Sequence, residues 1–381
     1  MQRKHCFGTL YKYELLKILK NKVALVTFLV IFFYSFIQGE FEVRGNIDPA
    51  VLDEYAAING REIDDGLIGE LLEVTDDVGN IADDRDIAYD NLAEWVSNVI
   101  GTGTSFKDIT VEKIYEKRSD MINEAQDMAF LTEEERQLWD AKEASVKKPF
   151  VYHDTVISAG ILEGTSNYGI MMLMIIAISL SSIFAMETQR RTDPMIRAAI
   201  NGTKELYFAK VLAGMSYILC CLIILLTGFI SYIGIVWGFE GLDSSIITYH
   251  PFTSLNLTIA ELERILVILV FLGTCLISSF ALFVSNVSRN SLATMAIVIG
   301  TYLVMFILST GVPYRFRVIS QFLSLLPSTL ISSRLVYEFR LVRLGKNFLS
   351  YQAAPVLYII LTVIFIWMGY ILYKRHEIKS N

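Results

Sequence analysis

The chain has 381 residues, 53% of them apolar and only 19% charged, with a mean hydropathy of +0.46. A soluble globular chain carries about 25% charge, so the composition excludes a water-soluble enzyme of two ordinary domains. The net charge of −7 conceals a partition: residues 40–167 hold 30 Asp and Glu against 11 Lys and Arg, leaving the rest of the chain basic.

In chain order, residues 7–22 read as an interfacial helix within a cytoplasmic segment 1–22. Tyr11, Leu15, Ile18 and Leu19 share one side while Lys17 and Lys20 oppose them, which suits a helix on the inner leaflet with its lysines on anionic lipid headgroups. A helix continuous with the first span is the alternative. Six uncharged runs follow: Val23–Gly39, Tyr168–Met186, Val211–Trp237, Ile265–Val287, Leu292–Thr310 and Val356–Tyr373. A bilayer core of about 30 Å needs roughly 20 helical residues, with about 17 to 25 tolerated. The runs therefore predict an all-α membrane protein with six transmembrane helices, the first at 23–39 and five more within 168–381.

Between the first two spans lies an acidic insert, 40–167. Val111, Ile114, Tyr115, Met121, Ala125 and Met128 recur at helical spacing, and Thr132 with Glu135 forms a capping box opening another helix. Leu67, Leu71, Val78, Leu92, Trp95 and Val99 suggest one longer helical stretch ended by Gly101-Thr102-Gly103. The insert is expected to be a helical domain. Its charge would repel nucleic acid phosphates. It has no cysteine, and the four histidines are scattered, so neither a disulfide nor a metal site is expected.

Lys and Arg are retained on the cytoplasmic side of a membrane. Arg3, Lys4, Lys12, Lys17, Lys20 and Lys22 precede the first span, Arg190, Arg191, Arg197, Lys204 and Lys210 follow the second, and Lys374, Arg375 and Lys379 end the chain. The loop Gly238–Arg264 is acidic. These biases predict a multi-pass protein of the cell membrane with both termini cytoplasmic and 40–167 extracytoplasmic. Residues 309–354 dissent, because they should be external yet carry Arg315, Arg317, Arg334, Arg340, Arg343 and Lys346 against Glu338 alone. Two readings stay open: external re-entrant or interfacial helices broken at Pro327, with bases facing lipid phosphates or the acidic insert, or a seventh span.

No charged residue lies inside the six runs, which speaks against a carboxylate-driven secondary transporter. There is no H-E-x-x-H and no G-x-x-x-x-G-K-[ST], so no route to metallohydrolysis or to ATP binding by this chain is expected. Power for uphill transport would have to come from another subunit. The hydroxyls Ser179, Ser181, Ser182, Thr227, Thr274, Ser278 and Ser279 either line a pathway or let helices pack closely.

The loop 187–210 is where an energising subunit would dock. Glu187-Thr188-Gln189-Arg190-Arg191-Thr192-Asp193-Pro194 opens it, Met195-Ile196-Arg197-Ala198-Ala199-Ile200 forms a short amphipathic turn, and Asn201-Gly202-Thr203-Lys204-Glu205 leads towards Lys210. A purely topological basic loop is the alternative. This run, together with the basic interfacial helix, the external insert and the Pro-broken Phe322-Leu323-Ser324-Leu325-Leu326-Pro327, resembles the permeases of type-2 ABC exporters. In that family a Glu closes the second span and a coupling helix precedes a Gly- and Lys-containing entry into the third. The resemblance spans the chain by architecture but about 40 residues by motif.

It implies a translocation pathway formed with a second permease copy or a sister permease, and a separate cytosolic ABC ATPase that binds ATP and Mg²⁺ while this chain binds no cofactor itself. Glu187, Arg190, Arg191, Met195, Ile196 and Arg197 would contact that ATPase, and 311–354 would form the external re-entrant region. The 128-residue insert departs from the family's minimal members. Its position resembles the macrolide-exporter type, which has four spans rather than six. A membrane receptor or sensor whose acidic domain binds a ligand is the competing expectation.

Overall fold

The computed structural model describes residues 2–44, 52–81, 84–101, 104–192, 195–196, 202–288, 290–343 and 345–378. It is a helical membrane protein in which six helices are long and apolar enough to cross a bilayer: Lys22–Arg44, Val156–Gln189, Lys204–Val236, Ile259–Ser288, Ser291–Gly311 and Ser350–Arg375. We number the helices α1 (Gln2–Leu19), α2 (Lys22–Arg44), α3 (Asp65–Val74), α4 (Asp90–Ile100), α5 (Val111–Met128), α6 (Glu133–Ala144), α7 (Val156–Leu180), α8 (Ser182–Gln189), α9 (Lys204–Val236), α10 (Ile259–Ser288), α11 (Ser291–Gly311), α12 (Arg317–Ser324), α13 (Pro327–Leu330) and α14 (Ser350–Ile378).

α1 and α2 are separate helices. The chain breaks at Lys20-Asn21, where the Asn21 side chain accepts from the Val23 N–H and so satisfies one of the free donors at the start of α2. The helices overrun the uncharged stretches because helix propagation does not stop where hydrophobicity does. α2 continues past Gly39 to Arg44, and α7 begins twelve residues before Tyr168. The acids carried into these extensions find partners: Glu40 accepts from the Tyr232 hydroxyl and the Trp237 indole, and Glu163 from Tyr249 and Ser333. The second crossing helix breaks at Ser181 between α7 and α8. There the Ser285 hydroxyl of α10 donates to the Ser181 carbonyl at 2.8 Å and accepts from the N–H groups of Phe184 and Ala185, replacing bonds the break removes.

Between α2 and α7 the long stretch expected after Leu67 is two helices. Asp76 accepts from the N–H groups of Val78 and Asn80, and Gly79 takes the left-handed conformation with φ of +89°, so a side-chain-capped turn wins over helix continuation. The stop at Gly101, φ +83°, and the helix Val111–Met128 are as the sequence implies, and the Thr132–Glu135 capping box forms. Leu67, Leu71, Leu92, Trp95, Val99 and Phe150 pack as one core, joined by Ile247 from the connection between α9 and α10. Trp139 belongs instead to the core of the crossing helices. The insert is thus keyed to the bundle rather than tethered beside it.

Three buried groups contribute to the keying. The Trp95 indole donates to the Ile247 carbonyl at 3.1 Å, Trp139 to the Phe339 carbonyl at 2.6 Å, and the fully buried Arg118 guanidinium to the carbonyls of Pro251 and Thr253. The segment between α11 and α14 runs across α6. Phe316–Ser333 is not a span: α12 has eight residues and α13 starts on Pro327, and eight residues rise about 12 Å, well short of a bilayer core. Two of its bases face the insert's acids. Arg317 pairs with Glu135, and Arg343 with Glu134 at 2.8 Å, while Arg340 pairs with Glu338 and lies 4.4 Å from the Tyr314 ring centre. A β-hairpin of two short strands, Val342–Arg343 and Asn347–Phe348, closes this strap.

Burial pushes the Glu135 carboxyl up, but Arg317, the N–H groups of Thr132 and Leu341 and the Thr132 hydroxyl outweigh it and hold the pKa below its ordinary 4.5. A depressed carboxyl stabilises the fold above its unfolded value and loses that contribution as pH falls through the folded one. Acidification below pH 4.5 is therefore expected to speed hydrogen exchange in 317–343. Glu135→Gln should exchange faster already at neutral pH and lose the acid step. An acid response unchanged in that variant places its origin elsewhere.

Candidate functional site

At the bundle end opposite the insert, α1, α8 and the start of α9 meet on Lys210. This lysine sits at the seventh position of α9, about 9 Å from its start, and is fully buried. A buried ammonium is tolerated only when paired and hydrogen-bonded. Lys210 Nζ donates to Glu187 Oε1 at 2.6 Å, to Glu14 Oε2 at 3.3 Å and to the Ile183 carbonyl at 3.2 Å. That uses all three of its donors. The Phe184 ring centre lies 5.5 Å away, adding a cation–π attraction. Lys17 completes an alternating quartet, 2.7 Å from Glu14 and 3.5 Å from Glu187. Partial burial lowers the Lys17 pKa, but the two carboxylates more than offset this and raise it.

The α1 face buries Glu14 and Ile18, with Tyr11 and Leu15 partly buried, whereas Leu19 is half exposed. The helix is therefore seated on α9, and Lys17 meets carboxylates of its own chain where the sequence suggested headgroups. Beside the quartet, Phe184, Tyr207, Phe208, Tyr370 and Tyr373 form an aromatic cluster. The Tyr207 hydroxyl donates to the Ile366 carbonyl and the Tyr373 hydroxyl to that of Gly202, so the end of α14 is fastened to the exit of the loop. Gly369 faces the Tyr207 hydroxyl so closely that a Cβ there would overlap it.

From this base the loop projects. The Glu187 carbonyl accepts from the N–H of Thr192, Arg191 adopts φ +57°, and the Ile196 N–H donates to the Thr192 carbonyl, restarting a helical turn. Arg190 and Arg191 are exposed, Met195 is 79% exposed and Ile196 half-buried. Arg197 and the rest of the amphipathic turn lie outside the described residues. Of the six residues expected on the docking face, Glu187 thus turns inward to Lys210, while Arg190, Arg191 and Met195 face outward.

The hydroxyls do not converge. Ser179, Thr274, Ser278 and Ser279 are buried between helices, and Ser182 is half-buried. Thr227 is exposed on the outside of α9 and bonds back to the Ile223 carbonyl at 2.6 Å. An apolar cavity of about 230 Å³ between α10, α11 and α14 is walled by Phe280, Tyr302, Met305 and Phe365, and none of the six lines it. Close packing explains the buried four.

Sequence reasoning missed Glu14 and Ser285 and named Lys210 only as a loop end. The available signal was a lone acid in a basic helix and a base carried past the start of a long apolar one. A second recess, about 360 Å³, opens at the insert end between α4, the start of α7 and the α9–α10 connection. It is polar, in contrast to the apolar cavity in the bundle. No protein-family model, curated protein or solved structure matches the chain.

Proposed function

We propose that this chain is the permease half of an ATP-driven exporter in the cell membrane, with both termini and loop 187–210 cytoplasmic and the insert outside. The observation that carries the reading is the loop itself. It raises exposed Met195, Arg190 and Arg191 above a base whose ions are paired internally, so a push on the loop moves α8, α9 and α1 as one body. An exposed methionine that follows two exposed arginines suits the groove of a protein partner. On this reading a separate ATPase binds ATP and Mg²⁺, and its closure tilts α8 and α9 to open a pathway shared with a second permease. The basic connections at the loop end and the acidic ones at the insert end support that orientation.

Ile196→Asp tests it. A carboxylate placed in an apolar groove should weaken co-purification of the ATPase by at least about tenfold and abolish ATP-dependent transport, with the thermal midpoint of the purified chain unchanged. Wild-type capture and transport by this variant would falsify the docking assignment. The polar recess at the insert end favours a second reading, a ligand sensor that signals inward through the same helices. Such a protein keeps its output in cells lacking any ATPase partner.

A further inference from the structure

The apolar cavity between α10, α11 and α14 lies at mid-membrane depth. Leu276 and Ile277 are central in the uncharged run Ile265–Val287, Thr301 and Tyr302 in Leu292–Thr310, and Leu361 and Phe365 in Val356–Tyr373, and all six line it. Runs of bilayer length place their centres at the middle of the hydrocarbon. No charged side chain lines the cavity among the described residues.

Its walls are tied together. α11 and α14 both pack on α10, and the strap is pinned across the gap between them. The fully buried Tyr358 of α14 donates its hydroxyl to the Leu325 carbonyl at 2.8 Å. Gly273 of α10 lets α13 approach so closely that a Cβ there would stand 3.3 Å from the Pro327 side chain. Phe322, Leu326 and Pro327 of the strap complete the lining. Helices tied in this way leave the space open before anything fills it, and a preformed site spends little on ordering.

Size and access select the occupant. An apolar cavity of about 150 Å³ stays dry and takes up benzene, and this one measures about 230 Å³. It falls short of the roughly 300 Å³ at which drug-sized ligands begin to fit, so a whole amphiphile does not enter. Water needs roughly two to four polar partners, which an apolar lining does not supply. The lining is continuous with the lipid-facing surface: Phe322 is 47% exposed, Met305, Leu361 and Phe365 are half-buried, and Ile307 and Val363 on the outward faces of α11 and α14 are exposed. We infer that the cavity seats one acyl chain of a bilayer phospholipid, which enters from the side while its headgroup stays at the membrane surface. The chain end then lies against the strap on which α6 rests. The inference does not rest on the export reading, because it involves only this chain and the bilayer.

The test reconstitutes the purified full-length chain in phosphatidylcholine vesicles doped with a phosphatidylcholine that carries a diazirine near the end of one acyl chain. Irradiation, digestion and mass spectrometry map the labelled residues. Labels are expected on Tyr302, Met305 and Phe365 as well as on the outward Ile307 and Val363. Thr301→Phe, which puts a benzene-sized ring into the space, should lower the first group at least about tenfold and leave the second unchanged. Leu361→Trp, from α14, should act alike, and an unchanged thermal midpoint in either variant excludes misfolding. In the wild-type chain, stripped of lipid in detergent, added phosphatidylcholine should slow hydrogen exchange of 322–328. The inference is overturned if Tyr302, Met305 and Phe365 stay unlabelled, if both groups of labels fall together in a folded variant, or if added lipid leaves that exchange unchanged. Cross-links from these residues to a second copy in place of lipid also overturn it, and assign the groove to a subunit interface.

Discussion

Replacing Lys210 with methionine is expected to destabilise the extracted protein by roughly 3–5 kcal/mol, the usual effect of removing one partner from a buried ion pair. Methionine preserves most of the stem but leaves Glu14 and Glu187, both largely buried, as like charges with only the largely exposed Lys17 ammonium beside them. The thermal midpoint measured by size-exclusion should fall, and α1 should become protease-sensitive, since Glu14 is its polar anchor on α9. Adding Glu187→Gln should restore part of the loss, because the coupled pair is then removed together. A Lys210→Met protein as stable as the wild type, with α1 still protected, would mean that the quartet is held by the surrounding packing and contributes nothing of its own.

Arg118→Met should produce an effect of similar size at the other end of the molecule. The guanidinium, fully buried, donates to the carbonyls of Pro251 and Thr253 at 2.6 Å each, pairs with Glu143 and stacks 5.1 Å from the Phe150 ring centre. Its removal orphans two buried carbonyls, at about 1–3 kcal/mol each, and leaves Glu143 with only Lys148, 3.7 Å away, as its ion-pair partner. Burial pushes Glu143 up, yet Arg118 holds it below the ordinary carboxylate value, so the variant should also shift that titration upward. The expected result is rapid proteolysis within α5–α6 and a lower midpoint, while α9 and α10 stay protected. Unchanged protection of α5–α6 would show that Trp139 and the Glu134 and Glu135 contacts dock the hairpin without Arg118.

Much of the scaffold is legible in the sequence because its cause is local. Uncharged runs of bilayer length mark the six crossing helices, Thr132 and Glu135 announce a helix start, and Pro327 interrupts an apolar stretch before it can span. The basic segment 309–354 looks anomalous only until Glu134 and Glu135 are seen beneath it, and seeing that requires tertiary contact. Helix ends near Arg44 and Val156 are unreadable for a related reason: Glu40 and Glu163 look like boundary markers until Tyr232, Tyr249 and Ser333 solvate them. The Ser285 clamp on the break at Ser181 has no pattern at all, since one hydroxyl acts on a backbone 104 positions away. At the proposed docking face the outward residues followed from composition, but Glu187 did not, because its partners lie in α1 and α9.

The separation of Glu14 from Lys210, 196 positions along the chain, sets an order for biogenesis. At about 5–20 residues per second, a ribosome takes roughly 10–40 s to synthesise that interval. Until then the amino-terminal helix has emerged without its anchor and must wait at the membrane surface, where its own lysines can hold it to anionic lipid. Arrival of the third crossing segment then exchanges that provisional attachment for a permanent one. A nascent chain stalled before residue 210 should therefore keep its first twenty residues open to protease.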